Sequence, residues 1–209
     1  MKQQRILLVE DEALIREGLF SLLESEPFVA EIEQASNKKE FNAVIDKNFD
    51  LILMDFKLPD INGLEIMGML KERQMSSKVI AVTGLDGTEL LINLLKAGVN
   101  GIVYKLDGYT EIRKTIEKVI DGESYFPDKV LKVIEKNASR WDEIPAMTLS
   151  FSDKEILRAL CRGLTTKEMA GELKMTEATT ETYRNRLMKK VNAPNTAALL
   201  AFAFRNGLL

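Results

Sequence analysis

Short apolar runs punctuate the first half of the chain, at Arg5–Val9, Leu51–Met54, Val79–Val82 and Gly101–Tyr104, and none alternates with polar residues. Nearly unbroken apolar runs of this length predict strands covered on both faces, as in a parallel sheet. A fifth candidate, Ala30–Ala35, is more mixed. Between these runs, apolar residues fall at helical spacing in Ala13–Leu23, Lys38–Asn48, Leu64–Lys71, Glu89–Ala97 and Thr110–Asp121. Five strand–helix units with short connections predict an α/β domain over residues 3–122, a doubly wound five-stranded parallel sheet.

After Gly122 the alternation stops. Residues 123–148 contain one helical piece, DKVLKVIEKN, and then SRWDEIPAMT, which has a proline and no period, so this stretch reads as a linker with a short helix. Residues 149–209 predict only helices. Ser152 with Glu155, and Thr165 with Glu168, each fit a capping box, in which a hydroxyl takes a free amide and the acid reaches back. Thr176 opens a third helix to about Val191, and Asn195 opens a fourth. Short helices with tight turns at Gly163 and near Met175–Thr176 predict an all-α helix-turn-helix domain.

No run approaches the ~18 apolar residues of a membrane span. The opening MKQQRILLVEDE reaches acid too soon for a signal peptide, so a cytoplasmic protein with no membrane partner is expected. One cysteine, Cys161, excludes an intrachain disulfide, and it reads as core beside Leu157, Leu160 and Leu164. The chain has no histidine, which excludes imidazole bases, Ser-His-Asp triads and histidine-bound zinc. Carboxylate, lysine and hydroxyl remain for chemistry. The net charge of −3 divides unevenly: residues 149–209 hold ten Lys/Arg against six Asp/Glu, and the preceding part carries the acidic excess. Opposite signs suggest different partners, a polyanion for the second part.

Ligands of open α/β sheets sit beyond the carboxyl ends of the strands. There the sequence places Glu10 and Asp11 after the first strand, Asp55 after the third, Thr83 after the fourth and Lys105 after the fifth. Carboxylates ~4 Å apart at an effective dielectric of ~20 repel by ~4 kcal/mol, so such a set binds protons or a cation. Oxygen ligands with open water positions suit Mg²⁺, which would also shield an incoming phosphoryl group. Asp55 then qualifies as a nucleophile, with Thr83 and Lys105 on the phosphoryl oxygens. Any one of these residues alone would read as a strand end facing water. Their joint chemistry weighs against that.

Glu10-Asp11, MDFKLPDINGLE (Met54–Glu65), VTG (Val82–Gly84) and LKAGVNGIVYK (Leu95–Lys105) resemble the flavodoxin-like receiver domain of two-component response regulators. The resemblance implies phosphoryl transfer from a histidine kinase to Asp55. It also implies Mg²⁺ on Asp11, Asp55 and the Lys57 backbone carbonyl, with Glu10 acting through water. Lys105 would pair with the phosphoryl group, and Thr83 would bond it and move. Ile102 stands where receivers commonly carry an aromatic switch residue; Tyr104 lies nearby.

In the third helix of the second domain, Thr180, Tyr183, Leu187 and Val191 share a face suited to a core. Glu181, Asn185 and Lys189 line the outside, flanked by Arg184, Arg186 and Lys190, a basic surface that fits a major groove. Thr165 and Lys167, at a helix start, could add a phosphate contact. Phe151–Leu209 resembles the LuxR-type helix-turn-helix of NarL/FixJ regulators, with the helix-turn-helix proper near Thr166–Asn185. That implies base reading of double-stranded DNA by Glu181, Thr182 and Asn185, and a dimer contact on Thr196–Asn206, the homodimer forming on phosphorylation.

Three other readings compete for the first domain. A phosphatase of the haloacid-dehalogenase kind needs an acid two residues after its nucleophile, where Lys57 stands. A flavodoxin-like cofactor binder would meet repulsion from Glu10 and Asp11. A phosphorylation-independent receiver is the third, because of Ile102. For the second domain the competitor is a helical bundle used only for dimerisation.

Overall fold

The computed structural model describes residues 3–84, 87–141 and 149–206. It divides into two compact units, Met1–Gly122 and Glu123–Leu209.

The first unit alternates β1 (Gln4–Val9), α1 (Ala13–Leu23), β2 (Val29–Ala35), α2 (Lys38–Val44), β3 (Leu51–Met54), α3 (Gly63–Glu72), β4 (Lys78–Thr83), α4 (Thr88–Ala97), β5 (Gly101–Tyr104) and α5 (Gly108–Ile120). Strand order is β2-β1-β3-β4-β5, all parallel. The fully apolar runs are the buried strands, as a sheet covered on both faces requires. On one face Ile6, Leu8, Leu51, Leu53, Ile80, Val82 and Val103 form a core with Leu19 and Leu23 of α1 and Ile112, Ile116 and Val119 of α5. The alternate residues Leu7, Val9, Ile52, Met54, Ala81 and Ile102 point the other way and are equally buried. Ile102 is therefore a core residue, whereas Tyr104 is half-buried. The helix expected over Lys38–Asn48 tightens to 3₁₀ geometry at Ile45–Lys47, and Asn48 turns left-handed.

The second unit contains α6 (Asp128–Lys136), α7 (Phe151–Cys161), α8 (Thr166–Leu173), α9 (Glu177–Lys190) and α10 (Thr196–Arg205). Thr165, Thr176 and Asn195 cap α8, α9 and α10 as expected. The cap of α7 differs from expectation. Ser150, not Ser152, accepts the free amide, from Asp153, and Asp153 reaches back to the Ser150 amide. Two boxes overlap in this sequence, and Asp153 is held by a tertiary bond from Lys190. Ser150→Ala should cost about 1 kcal/mol of unfolding free energy, the usual value of a lost N-cap, and Ser152→Ala less than about 0.5. Urea titration of the two variants separates these outcomes.

The expected linker over 123–148 is folded for as far as it is described. Val130 and Ile134 of α6 are buried, α6 and the turn Ala138–Arg140 pack on α10, and Trp141 is buried. An amphipathic nine-residue helix has little stability alone, and α10 supplies its cover. Residues 142–148 of that stretch lie outside the described residues. Glu123 and Ser124 are tied in as well: Thr166 N donates to Glu123 Oε1 at 2.6 Å and Ser124 Oγ to Thr196 Oγ1 at 3.0 Å. Among the described residues no helix is long and apolar enough to cross a membrane.

Candidate functional site

Glu10 follows β1, Asp55 follows β3, Thr83 ends β4 and Lys105 follows β5, so the sheet itself delivers the predicted set to one rim. Glu10 and Asp55 are held to neighbouring strands through their amides, Glu10 N to Ala35 O at 3.0 Å and Asp55 N to Val9 O at 2.8 Å. Glu10, Asp11 and Asp55 each offer a carboxylate oxygen within 4.8 Å of the others. Arg16, one turn into α1, donates to the carbonyls of Glu10 (2.9 Å) and Asp11 (3.2 Å) and so fixes the loop that carries both acids. The strand-end pattern does not reveal Arg16, because it lies within a helix.

Lys105 Nζ donates to Glu10 Oε1 at 2.9 Å, to Asp55 Oδ2 at 2.8 Å and to Glu12 Oε1 at 2.8 Å. Glu12 is a second residue that the sequence pattern missed. Burial pushes the Glu10 carboxyl upward; the Lys105 bond opposes this, the Asp55 charge adds to it, and the net shift is up. Partial burial pulls the Lys105 ammonium down, but bonds to Asp55, Glu12 and Glu10 outweigh it and hold the group above its ordinary value. The lysine is therefore a fixed positive charge.

Lys57 N donates to Asp55 Oδ1 at 3.1 Å, and the loop closes through Gly63 N to Phe56 O at 2.9 Å. A Cβ at Gly63 would stand 2.9 Å from Met54 Cε, 3.0 Å from the Phe56 ring and 3.3 Å from Phe56 Cα, so a side chain there would have to displace these neighbours. Asp11, Glu12, Asp55, Lys57, Leu58, Pro59, Gly84 and Lys105 line an open cleft of about 460 Å³. Thr83 is buried at the end of β4 and does not line the cleft. Oxygen donors this close, facing a cleft open enough to admit water and phosphate, fit a Mg²⁺ ion.

In the second unit, α8, a left-handed turn at Lys174 and α9 form the helix-turn-helix. Thr180, Leu187 and Val191 are buried as expected, and Tyr183 is half-buried. Arg184 corrects the expected basic surface. It is buried, with Nη2 2.8 Å from Glu181 Oε1, because the inward stripe runs 180, 184, 187, 191, and its apolar stem packs inside. Glu181 also accepts from Asn185 Nδ2 at 2.9 Å. Lys190 is half-buried and donates to buried Asp153, joining α9 to α7. Desolvation raises the Asp153 carboxyl, but the Lys190 bond and the Ser150 bonds prevail and lower it.

Thr182, Asn185, Arg186 and Lys189 are exposed on α9, and Lys167 is exposed on α8. Thr165 is engaged in its own capping box with Glu168. The predicted dimer helix is mostly covered by the chain itself: Ala197–Ala203 are all buried, and only Thr196, Phe204, Arg205 and Asn206 retain exposure. Cys161, expected in the core, is half-buried, and burial pushes its thiol up to about 12, with the Glu135 charge adding.

A sheet with an acid-and-lysine rim, followed by a helix-turn-helix unit, defines a two-part regulatory protein. Residues 6–117 match the response regulator receiver domain, and residues 147–203 match the luxR family of bacterial regulatory proteins. The chain belongs to the response regulators, with a receiver domain and a LuxR-type DNA-binding domain. It is 31% identical to a Pseudomonas aeruginosa protein provisionally named a transcriptional regulator, over 98% of this chain and 99% of that one. It is 27% identical to the transcriptional regulatory protein LiaR of Bacillus subtilis, over 98% and 99%. The fold resembles that of the response regulator RcsB in a DNA complex, at 21% identity and a TM-score of 0.61, covering 96% of this chain and 98% of that one.

Proposed function

We propose that Asp55 accepts a phosphoryl group from a partner histidine kinase, and that this controls dimerisation and binding to double-stranded DNA to regulate transcription. The observation that carries the reading is the contact of Lys105 Nζ with Asp55 Oδ2 at 2.8 Å beside two further acids. A carboxylate sealed from solvent would make a poor nucleophile, but Asp55 lines the cleft, and the lysine lies where phosphoryl oxygens would develop charge.

Asp11, Asp55 and the Lys57 carbonyl would hold Mg²⁺ directly, with Glu10 acting through water. When bound, the ion supplies charge neutralisation for the acids and the phosphoryl oxygens. Thr83 would bond a phosphoryl oxygen after moving toward the cleft. Transfer and hydrolysis would be self-catalysed, without the second acid of a phosphatase, since Lys57 occupies that position. On α9, Thr182 and Asn185 would read bases together with Glu181, and Arg186, Lys189 and Lys167 would meet phosphates. Arg184 and Lys190 would support the helix from within rather than touch DNA. The protein would work in the cytoplasm.

Incubating the purified chain with fragmented chromosomal DNA, with and without acetyl phosphate and Mg²⁺, tests this. Discrete fragments should be enriched, and more strongly with the phosphodonor. Equal recovery in both arms would remove phosphorylation control, and no enrichment in either would remove DNA binding.

A further inference from the structure

Glu12 is not among the strand-end residues that define the rim, yet its carboxylate bonds the same lysine as Glu10 and Asp55. It occupies the N-cap position of α1, but makes no side-chain cap bond to the helix amides that an acid there ordinarily serves. An ammonium has three N–H donors. Glu10, Glu12 and Asp55 take one each, at 2.8–2.9 Å. Until transfer, while Asp55 is still a carboxylate, a phosphoryl oxygen approaching it thus finds no free donor on Lys105 unless one carboxylate withdraws.

The three carboxylates are not equivalent. The side chains of Glu10 and Asp55 are 1% and 8% exposed, and that of Glu12 is 61% exposed. Withdrawal of a buried carboxylate strands a charge in a poorly hydrated place, whereas Glu12 moves into water. Glu12 also adds a further negative charge to a cleft that must admit an anionic donor.

We propose that Glu12 is a placeholder on Lys105: it occupies the third donor while Asp55 is unmodified, yields that donor to a phosphoryl oxygen, and so slows acceptance from anionic phosphodonors. The inference rests on the reading of Asp55 as phosphoacceptor. In the step concerned, an Asp55 carboxylate oxygen bonds the phosphorus of acetyl phosphate, the bond from phosphorus to the acetyl oxygen breaks, and acetate departs with that electron pair. Glu12 touches none of the reacting atoms. It is a positioning residue that acts through the lysine and through its charge.

The test compares initial labelling rates of the full chain by acetyl phosphate at saturating Mg²⁺ and low salt, read by intact mass. Glu12→Gln should label about threefold faster, the scale of one like charge removed at several ångströms in a well-hydrated cleft. Glu12→Asp keeps the charge but is one methylene short of the lysine, and it should also label faster than wild type. The gap between wild type and Glu12→Gln should narrow as NaCl is raised, because an exposed pair is screened, a response that a purely structural role would not give. Equal or slower labelling of Glu12→Gln, or a wild-type rate for Glu12→Asp, overturns the placeholder role. Wild-type protein that takes no label overturns the Asp55 reading itself, and the two failures are distinct.

Discussion

Asp55→Asn loses labelling by acetyl phosphate and Mg²⁺, with the rate falling at least about a hundredfold, because a neutral amide cannot act as the carboxylate nucleophile. The loss should come without unfolding. The side-chain carbonyl of asparagine still accepts from Lys57 N, and Lys105 keeps its bonds to Glu10 and Glu12. Removing one of several crowded acids also relieves repulsion. Intact-mass measurement reads the label, and thermal unfolding reads the fold. A variant that labels as fast as wild type would move the phosphoacceptor to another residue, with Asp11, the neighbouring acid lining the cleft, the first to examine.

The second large effect concerns the exposed basic residues of α9. Arg186→Ala combined with Lys189→Ala should weaken duplex binding about tenfold or more at low salt. It should also flatten the slope of log affinity against log salt by about two, one for each phosphate left without its cation. Arg184→Ala should behave differently. Its guanidinium is buried against Glu181, so its removal should lower the stability of the second unit and leave the salt slope near wild type. Fluorescence anisotropy over a salt series, beside a urea titration, distinguishes the two classes. An unchanged slope in the double variant would support a helical unit that serves only dimerisation.

The rim was legible in the sequence because strands buried on both faces carry an unmistakable apolar signature, and the first polar residue after each run marks the carboxyl end of the strand. Glu10, Asp55, Thr83 and Lys105 were found that way. Glu12 and Arg16 escaped because they belong to the cap and first turn of α1, where acids and bases are common for local reasons. Arg184 was misread because two stripes of α9 share Thr180, Leu187 and Val191, through Tyr183 or through Arg184, and periodicity does not choose between them. Packing did, by accepting a long side chain whose charged end meets Glu181. The α7 cap is ambiguous for a related reason: Ser150 and Ser152 each precede an acid by three residues, and the acid of the box that forms, Asp153, is also bonded by Lys190, distant in sequence. For α6, the sequence displayed the amphipathic face but not α10, the surface that covers it.

That cover bears on modularity. The matched luxR-family segment begins at residue 147, but the folded body begins at Glu123, whose carboxylate caps α8, and includes α6 lying over α10. The compact piece that contains the helix-turn-helix is therefore cut at Gly122 rather than at residue 147. A transfer from residue 147 onward would leave behind a helix that packs on α10 and the acid that satisfies the Thr166 amide.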